Sequence, residues 1–190
     1  MKKLIVGISG SSAPILGIRL LEVLAKNPEV ETHLVMSDTV EQTLAAEAPS
    51  WNSDKLRALA GCHYPNRQLN AAIASGSFPI DAMVVIPCSM RSLAAIAAGI
   101  SDNLLTRAAD VTLKERRPLV LVPRETPLHL VHLRNMVTVT EMGGIIVPPM
   151  LAFYHQPRQV QDLTDHCVGK VLDVLKISHT LFRRWQGPAS

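Results

Sequence analysis

The sequence predicts an α/β fold with a layered, mostly parallel sheet. Three observations carry this. Short β-rich runs alternate with longer helical ones along the whole chain. One run, Ala82–Ile86, reads AMVVI and is apolar at every position, as a strand buried on both faces is. Hydrophobic residues make up 47% of the 190 residues and aromatics only 4%, so the core is sizeable and aliphatic.

The elements follow in order. Leu4–Ser9 is the first strand. The opening MKKLIVGISGSSAP has the flavour of a secretory leader, but Gly7, Ser9 and Gly10 cut its apolar run too soon. Pro14 to Lys26 is a helix, with proline tolerated in the first turn. Val30–Met36 is the second strand. Asp38-x-x-Glu41 has capping-box character, with Asp38 as cap, and opens a helix to Glu47. A short helical piece, Asp54–Ala60, precedes a polar stretch, His63–Gln68. After Ala82–Ile86 come helices at Ser92–Ala98 and Asn103–Arg116, a strand at Leu119–Val122, and a helix at Leu128–Glu141. A short strand at Ile145–Val147 is stopped by Pro148 and Pro149, and a last helix spans Pro157 to Ile177. No repeat or low-complexity linker appears, so one domain over 1–178 is expected, followed by a basic tail at 179–190.

Composition excludes several classes. The hydrophobic fraction and 18% charged residues exclude a disordered chain. Net charge is +3, too small to indicate nucleic acid. The surplus is uneven: residues 1–95 hold eight Lys/Arg and eight Asp/Glu, and residues 96–190 hold eleven and eight. It is either solvated surface charge or a sign of an anionic ligand handled in the second half. Cys62, Cys88 and Cys167 are an odd set with no CxxC, which points to a reducing compartment, no disulfide framework and no metal. No stretch approaches the length of a membrane helix. A cytoplasmic protein is expected.

Ligands of open α/β sheets bind at the carboxyl ends of the strands. Ser9–Pro14 (SGSSAP) there is either a phosphate-accepting turn before a helix N-terminus or an ordinary βα turn; it is neither GxGxxG nor a P-loop. Ser37 follows the second strand, where its hydroxyl can meet a ribityl or ribose group. Pro87-Cys88-Ser89-Met90-Arg91-Ser92 reads as a backbone cradle more than a nucleophile site, because a catalytic cysteine needs a base beside it. Asn103, Arg107, Asp110 and Lys114 share one helix face, either solvated or facing a cleft. Pro123-Arg124-Glu125-Thr126-Pro127 holds a charged pair between prolines. It is a phosphate grip with an acid/base group, or a mutual salt bridge. Phe153, Tyr154 and His155 lie in a proline-framed loop. His129 and His132 share a helical face without a carboxylate to complete a metal set. Histidines 33, 63, 166 and 179 show no pattern.

Several segments together resemble the UbiX-type flavin prenyltransferases: LIVGISGSS at the start, ETHLVMS at 31–37, IASGSF at 73–78, PCSM at 87–90, LLTRAADVTLKERRPLVLVPRETPLHLVHLRNM at 104–136 and PPMLAFYHQP at 148–157. The RRWQG tail and the helix with Lys170 add to the match. The resemblance implies a Rossmann-like flavoprotein fold, a three-layer sandwich. It implies homododecamers, reduced FMN and dimethylallyl phosphate as ligands, and prenylated FMN as a product for a UbiD-type decarboxylase. Gly10, Ser11, Ser12 and Ser37, with Cys88, Ser89, Met90, Arg91 and Arg124, are then expected to hold FMN. Arg107, Lys114, Arg124, Tyr154 and Lys170 are expected to hold the allylic phosphate. Glu125 is the expected acid/base residue, and Trp185 on the tail closes the prenyl pocket, so that Glu125, Ser12, Tyr154 and Trp185 form the catalytic set. Ser11, Ala13 and Pro14 depart from the family's usual SGASG loop, and Lys170 stands where arginine is common, keeping charge without the fork. Two other readings in this fold group are a flavin-dependent cysteine decarboxylase and an FMN-binding accessory subunit of an aromatic acid decarboxylase. The first usually carries a histidine in its second helix, which is lacking at 38–47.

Overall fold

A computed structural model describes residues 1–187; residues 188–190 of the expected tail lie outside the described residues. Six parallel strands form one sheet in the order β3-β2-β1-β4-β5-β6. They are β1 Lys2–Ile8, β2 Val30–Met36, β3 Cys62–Tyr64, β4 Ala82–Cys88, β5 Leu119–Pro123 and β6 Ile145–Ile146. Seven helices flank them: α1 Pro14–Leu24, α2 Val40–Glu47, α3 Ser53–Leu59, α4 Met90–Ala97, α5 Leu104–Lys114, α6 Leu130–Glu141 and α7 Val160–Val174. The expected α/β sandwich is what forms.

Alternation along the strands divides the core into two layers. Leu4, Val6, Ile8, Val84, Ile86, Val120 and Val122 face α1 and α7. Ile5, Met83, Val85, Leu119 and Leu121 face α4 and α5. Every residue of β4 is buried, which accounts for its unbroken apolar run. Gly17 lets α1 press onto β4: a Cβ there would stand 2.6 Å from the Ile86 carbonyl oxygen. Arg19 Nε donates to Asp165 Oδ1 at 2.6 Å and ties α1 to α7.

Four local differences from the expected elements have physical reasons. The edge strand β3 falls within the stretch read as polar. Three half-exposed residues are too few for a period to show. Asp38 does not cap α2; Thr39 is at the cap without a side-chain bond, and Asp38 instead accepts from Arg67 at 3.1 Å. Glu41 accepts from the Ser53 amide at the start of α3. The segment PCSMRS is not a free loop, because Pro87 and Cys88 finish β4 and Met90 opens α4. Ser89 caps that helix, its hydroxyl accepting from the Ser92 amide at 3.1 Å.

Candidate active site

The strand order reverses between β1 and β4, and the loops above that switch point are tied together. Ser9 is buried; its hydroxyl donates to the Pro87 carbonyl at 2.8 Å and accepts from the Ser89 amide at 2.7 Å. The Gly10 amide donates to Ser37 Oγ at 2.9 Å. A Cβ on Gly10 would fall 2.7 Å from the Thr39 Cβ and 3.0 Å from its carbonyl carbon, so only glycine fits this crossing. Ser11 Oγ donates to the Arg124 carbonyl at 3.3 Å, and Arg124 Nη2 donates to Ser12 Oγ at 2.8 Å. The Arg124 amide donates to the Cys88 carbonyl at 3.3 Å. The carboxyl ends of β1, β2, β4 and β5 therefore meet in one patch, which brings together Gly10, Ser11, Ser12, Ser37, Ser89 and Arg124.

Ala13 occupies the left-handed region, with φ of 69°, just before Pro14 starts α1. Its amide donates to Glu47 Oε2 at 2.8 Å, which holds an unfavourable turn for a non-glycine residue. Nothing in the sequence singles out Glu47, because a residue on α2 bracing the first loop is a purely tertiary contact. Beside the patch lies a cavity of about 690 Å³, bounded by Ser37, Thr39, Ser89, Arg91, Asn103 and Thr106. That is ample for a cofactor-sized ligand.

Cys88 and Met90 turn their side chains into the core. The Cys88 side chain is fully buried, and burial pushes its thiol up to about 12. It cannot be a thiolate; its part is the carbonyl that receives Arg124. Met90 packs on the α4/α5 core layer.

A second group stands past the ends of β5 and β6. Lys170 lines a cavity of about 260 Å³ with Val122, Val147, Pro149 and His166. Tyr154 Oη is hydrogen-bonded to His166 Nε2 at 3.0 Å, and its ring meets the Trp185 ring edge-on with centroids 6.1 Å apart. His155 stacks on His166 at 4.9 Å, with Phe182 4.7 Å from His166. Burial, then His155 and Lys170, push the His166 pKa down. Asp173 gathers the tail: it accepts from Arg184 at 2.7 Å, meets His179 at 3.0 Å and lies 3.7 Å from Lys170. The bond from Arg184 is the main reason its carboxyl sits below the usual range. His166, Lys170 and Asp173 recur at steps of four and three along α7, a spacing legible in the sequence that mixes charge types and so matches no metal-ligand pattern.

Glu125 is exposed, and its carboxylate accepts from the Thr126 amide at 3.0 Å. Among the described residues Arg124 and Glu125 form no salt bridge; Arg124 turns to Ser12 instead.

The Flavoprotein family model matches residues 1–186. Flavin prenyltransferase UbiX of Salmonella typhimurium is 51% identical over 189 residues, covering 98% of this chain and 100% of the relative. The chain belongs to the UbiX-type flavin prenyltransferases. The dodecameric FMN-dependent UbiX-like decarboxylase of Escherichia coli O157:H7 superposes with a TM-score of 0.95 at 50% identity, covering 97% of this chain and all of that one. AnUbiX (PadA1), solved with FMN and dimethylallyl pyrophosphate, gives 0.95 at 44% identity over 99% of both chains.

In this flavin prenyltransferase the expected phosphate cluster does not assemble within one chain. Arg107 and Lys114 lie on α5, which packs on one face of the sheet, whereas Lys170 lies on α7 against the other. Arg107 Nε donates to the Ala74 carbonyl at 3.3 Å and Nη1 to Asp110 at 2.8 Å. Lys114 pairs with Glu115 beside Gly76. Asn103 is a helix cap, its Oδ1 accepting from the Thr106 amide at 3.1 Å. Helical spacing identifies the shared face correctly but not the side of the sheet that receives it.

Proposed function

We propose that the protein transfers the dimethylallyl group of dimethylallyl phosphate to N5 and C6 of reduced FMN, releasing phosphate and giving prenylated FMN for a UbiD-type decarboxylase. The observation that carries this reading is the placement of fixed cations and aromatic faces, Arg124, Lys170, Tyr154 and Trp185, past the ends of β5 and β6, beside a glycine-floored cradle at the switch point. The cradle fits a flavin phosphate chain. Gly10 admits close approach, Ser11, Ser12 and Ser37 offer hydroxyls, and the α1 N-terminus offers its positive end.

When bound, reduced FMN supplies the nucleophilic N5 and C6 positions. The residues of the chain do the rest. Arg124 and Lys170 hold the phosphate as its C–O bond breaks, and their positive charge stabilises the leaving dianion without a metal. Tyr154 and Trp185 present π faces to the allylic cation. Closing the ring puts one proton on the prenyl double bond and takes one from C6, and Glu125 would serve as the acid and base of this exchange while the N5 proton leaves with the phosphate. Arg107 and Lys114 reach a phosphate only from a neighbouring copy, which fits a homododecamer whose sites lie between subunits. The tail from 179 closes the pocket over a single domain at 1–178. Among the described residues no helix is long and apolar enough to cross a membrane. Three free cysteines support a cytoplasmic setting.

The test is anaerobic incubation with reduced FMN and dimethylallyl phosphate, with the pyrophosphate in a parallel arm, followed by the mass of the flavin. Addition of one C5H8 unit is expected. A flavin of unchanged mass in both arms, where a control enzyme works, would sink the reading and favour an accessory flavin-binding subunit.

A further inference from the structure

Away from the flavin cradle, at the opposite half of β2, three ligand-type side chains meet on the sheet edge. Glu31 and His33 are two apart on β2 and share its face. The β2–β3 register sets Cys62 directly opposite His33. One carboxylate oxygen, one imidazole nitrogen and the thiol sulfur all lie within 4.8 Å of one another. Glu31 Oε1 is 3.3 Å from His33 Nε2 and 4.0 Å from Cys62 Sγ. Zinc–ligand bonds of about 2.0–2.3 Å in a tetrahedron place neighbouring donor atoms roughly 3.3–3.8 Å apart; the Glu31–His33 pair stands at that spacing and the Cys62 sulfur just outside it.

The state of His33 points the same way. The residue is 1% exposed, and Nε2 is buried without a hydrogen-bond partner. Its other nitrogen, Nδ1, is 3.0 Å from the Tyr64 hydroxyl. With the proton on Nδ1 and donated to Tyr64, the Nε2 lone pair faces the Glu31 oxygen. In that tautomer a buried imidazole lone pair stands 3.3 Å from a half-buried carboxylate oxygen, an arrangement that a cation resolves. Tyr64 stacks along the ring at 6.0 Å and Phe78 meets it edge-on at 5.4 Å, so the imidazole is oriented by a second layer of contacts. Lys3 Nζ lies 3.9 Å from the other carboxylate oxygen, Oε2, leaving Oε1 to the cluster.

We propose that Glu31, His33 and Cys62 form a three-ligand site for a zinc-class divalent cation, with water as the fourth ligand, that clips the edge strand β3 to β2. Binding releases the Cys62 proton to solvent and leaves the metal in its divalent state. The site lies four residues along β2 from Ser37, roughly 13 Å, and is separate from the flavin patch.

The experiment is Co²⁺ titration of the metal-stripped full-length protein. One equivalent is expected to bind, with a thiolate-to-cobalt charge-transfer band and tetrahedral d–d absorption, both displaced by Zn²⁺. Cys62→Ser should abolish the charge-transfer band and weaken binding by more than tenfold. Tyr64→Phe should keep the band and weaken binding about tenfold, as loss of a second-layer partner does. Tyr64→Phe also keeps the test open should Cys62→Ser fail to fold. The rival ligand pair is His129 and His132 on α6, whose rings are 3.5 Å apart; changing both to Gln should leave the spectrum unaltered. Absence of the charge-transfer band in the unaltered protein, or its loss with the His129/His132 change, would overturn the assignment.

Discussion

The cradle above β1 and β4 and the aromatic group below the tail are built by different means. The cradle is closed by bonds between backbone and the small hydroxyls of Ser9 and Ser37, with Gly10, Ser89 and Arg124 joined across four strand ends. The tail group stays open. Tyr154 is 44% and Trp185 65% exposed; their rings meet edge-on, Tyr154 is bonded to His166, and Asp173 holds Arg184 beside Trp185. A site in which backbone and small side chains touch at Gly10 tolerates almost no added atoms. One made of exposed charges and rings tolerates many changes at a modest cost. The cradle is thus tied together within one chain, whereas Arg107 and Lys114 on α5 lie across the sheet from Lys170 on α7.

The sharpest way to break this contrast is Gly10→Ala. The added methyl would meet Thr39 side chain and backbone at 2.7 and 3.0 Å, so the first loop must move. Overpacking of this kind costs about 1–3 kcal/mol. Flavin retention, read from absorbance after gel filtration, should fall by tenfold or more while the far-ultraviolet circular dichroism is kept. Retention at the original level would show that the loop crossing is not what holds FMN.

Arg124→Ala comes next, because Arg124 belongs to both halves. It removes the bond to Ser12 and one phosphate cation together. Losing a charged hydrogen bond costs about 1.5–3 kcal/mol, so turnover should drop about 10- to 100-fold with weaker flavin binding as well. If flavin binding is untouched, Arg124 belongs to the phosphate half alone.

The same division explains what is legible in the sequence. Strand ends carry their chemistry in consecutive residues, so SGSSAP, PCSM and PRETP point at the cradle by composition and position alone. Strand β3 escapes because three half-exposed residues carry no period, and Glu47 because its contact with Ala13 crosses 34 positions. Arg107 and Lys114 do not meet Lys170 within one chain for a related reason. Spacing along α5 fixes which residues share a face, but only packing decides which side of the sheet that face lies on. His33 has no full set of partners in the sequence; Glu31 is near in the chain, but Cys62 arrives only through the β2–β3 register.

A smaller effect is expected from Asp173→Asn. It loosens Arg184, His179 and Lys170 at once, yet these contacts are partly exposed and individually weak. KM for dimethylallyl phosphate should rise several-fold with flavin affinity unchanged. A matching loss in flavin affinity would mean the two halves are mechanically coupled.

The smallest effect separates the halves by pH. The fold lowers the His166 pKa, first through burial and then through His155 and Lys170, with Asp173 opposing. A lowered value means that the unfolded chain takes up the proton first as acid is added. The stability contributed by neutral His166 is therefore fully present above its ordinary value of 6.5 and is lost as pH falls from there through the folded value. His33 titrates in the same sense, so the wild-type slope contains both. His166→Asn removes one. Between about pH 7 and about pH 5.5 the melting temperature of the variant should fall less than that of the wild type. The cradle, which contains no histidine among its hydrogen-bonded residues, should retain flavin equally in both proteins over this range. Equal slopes would mean that folding does not lower the His166 pKa.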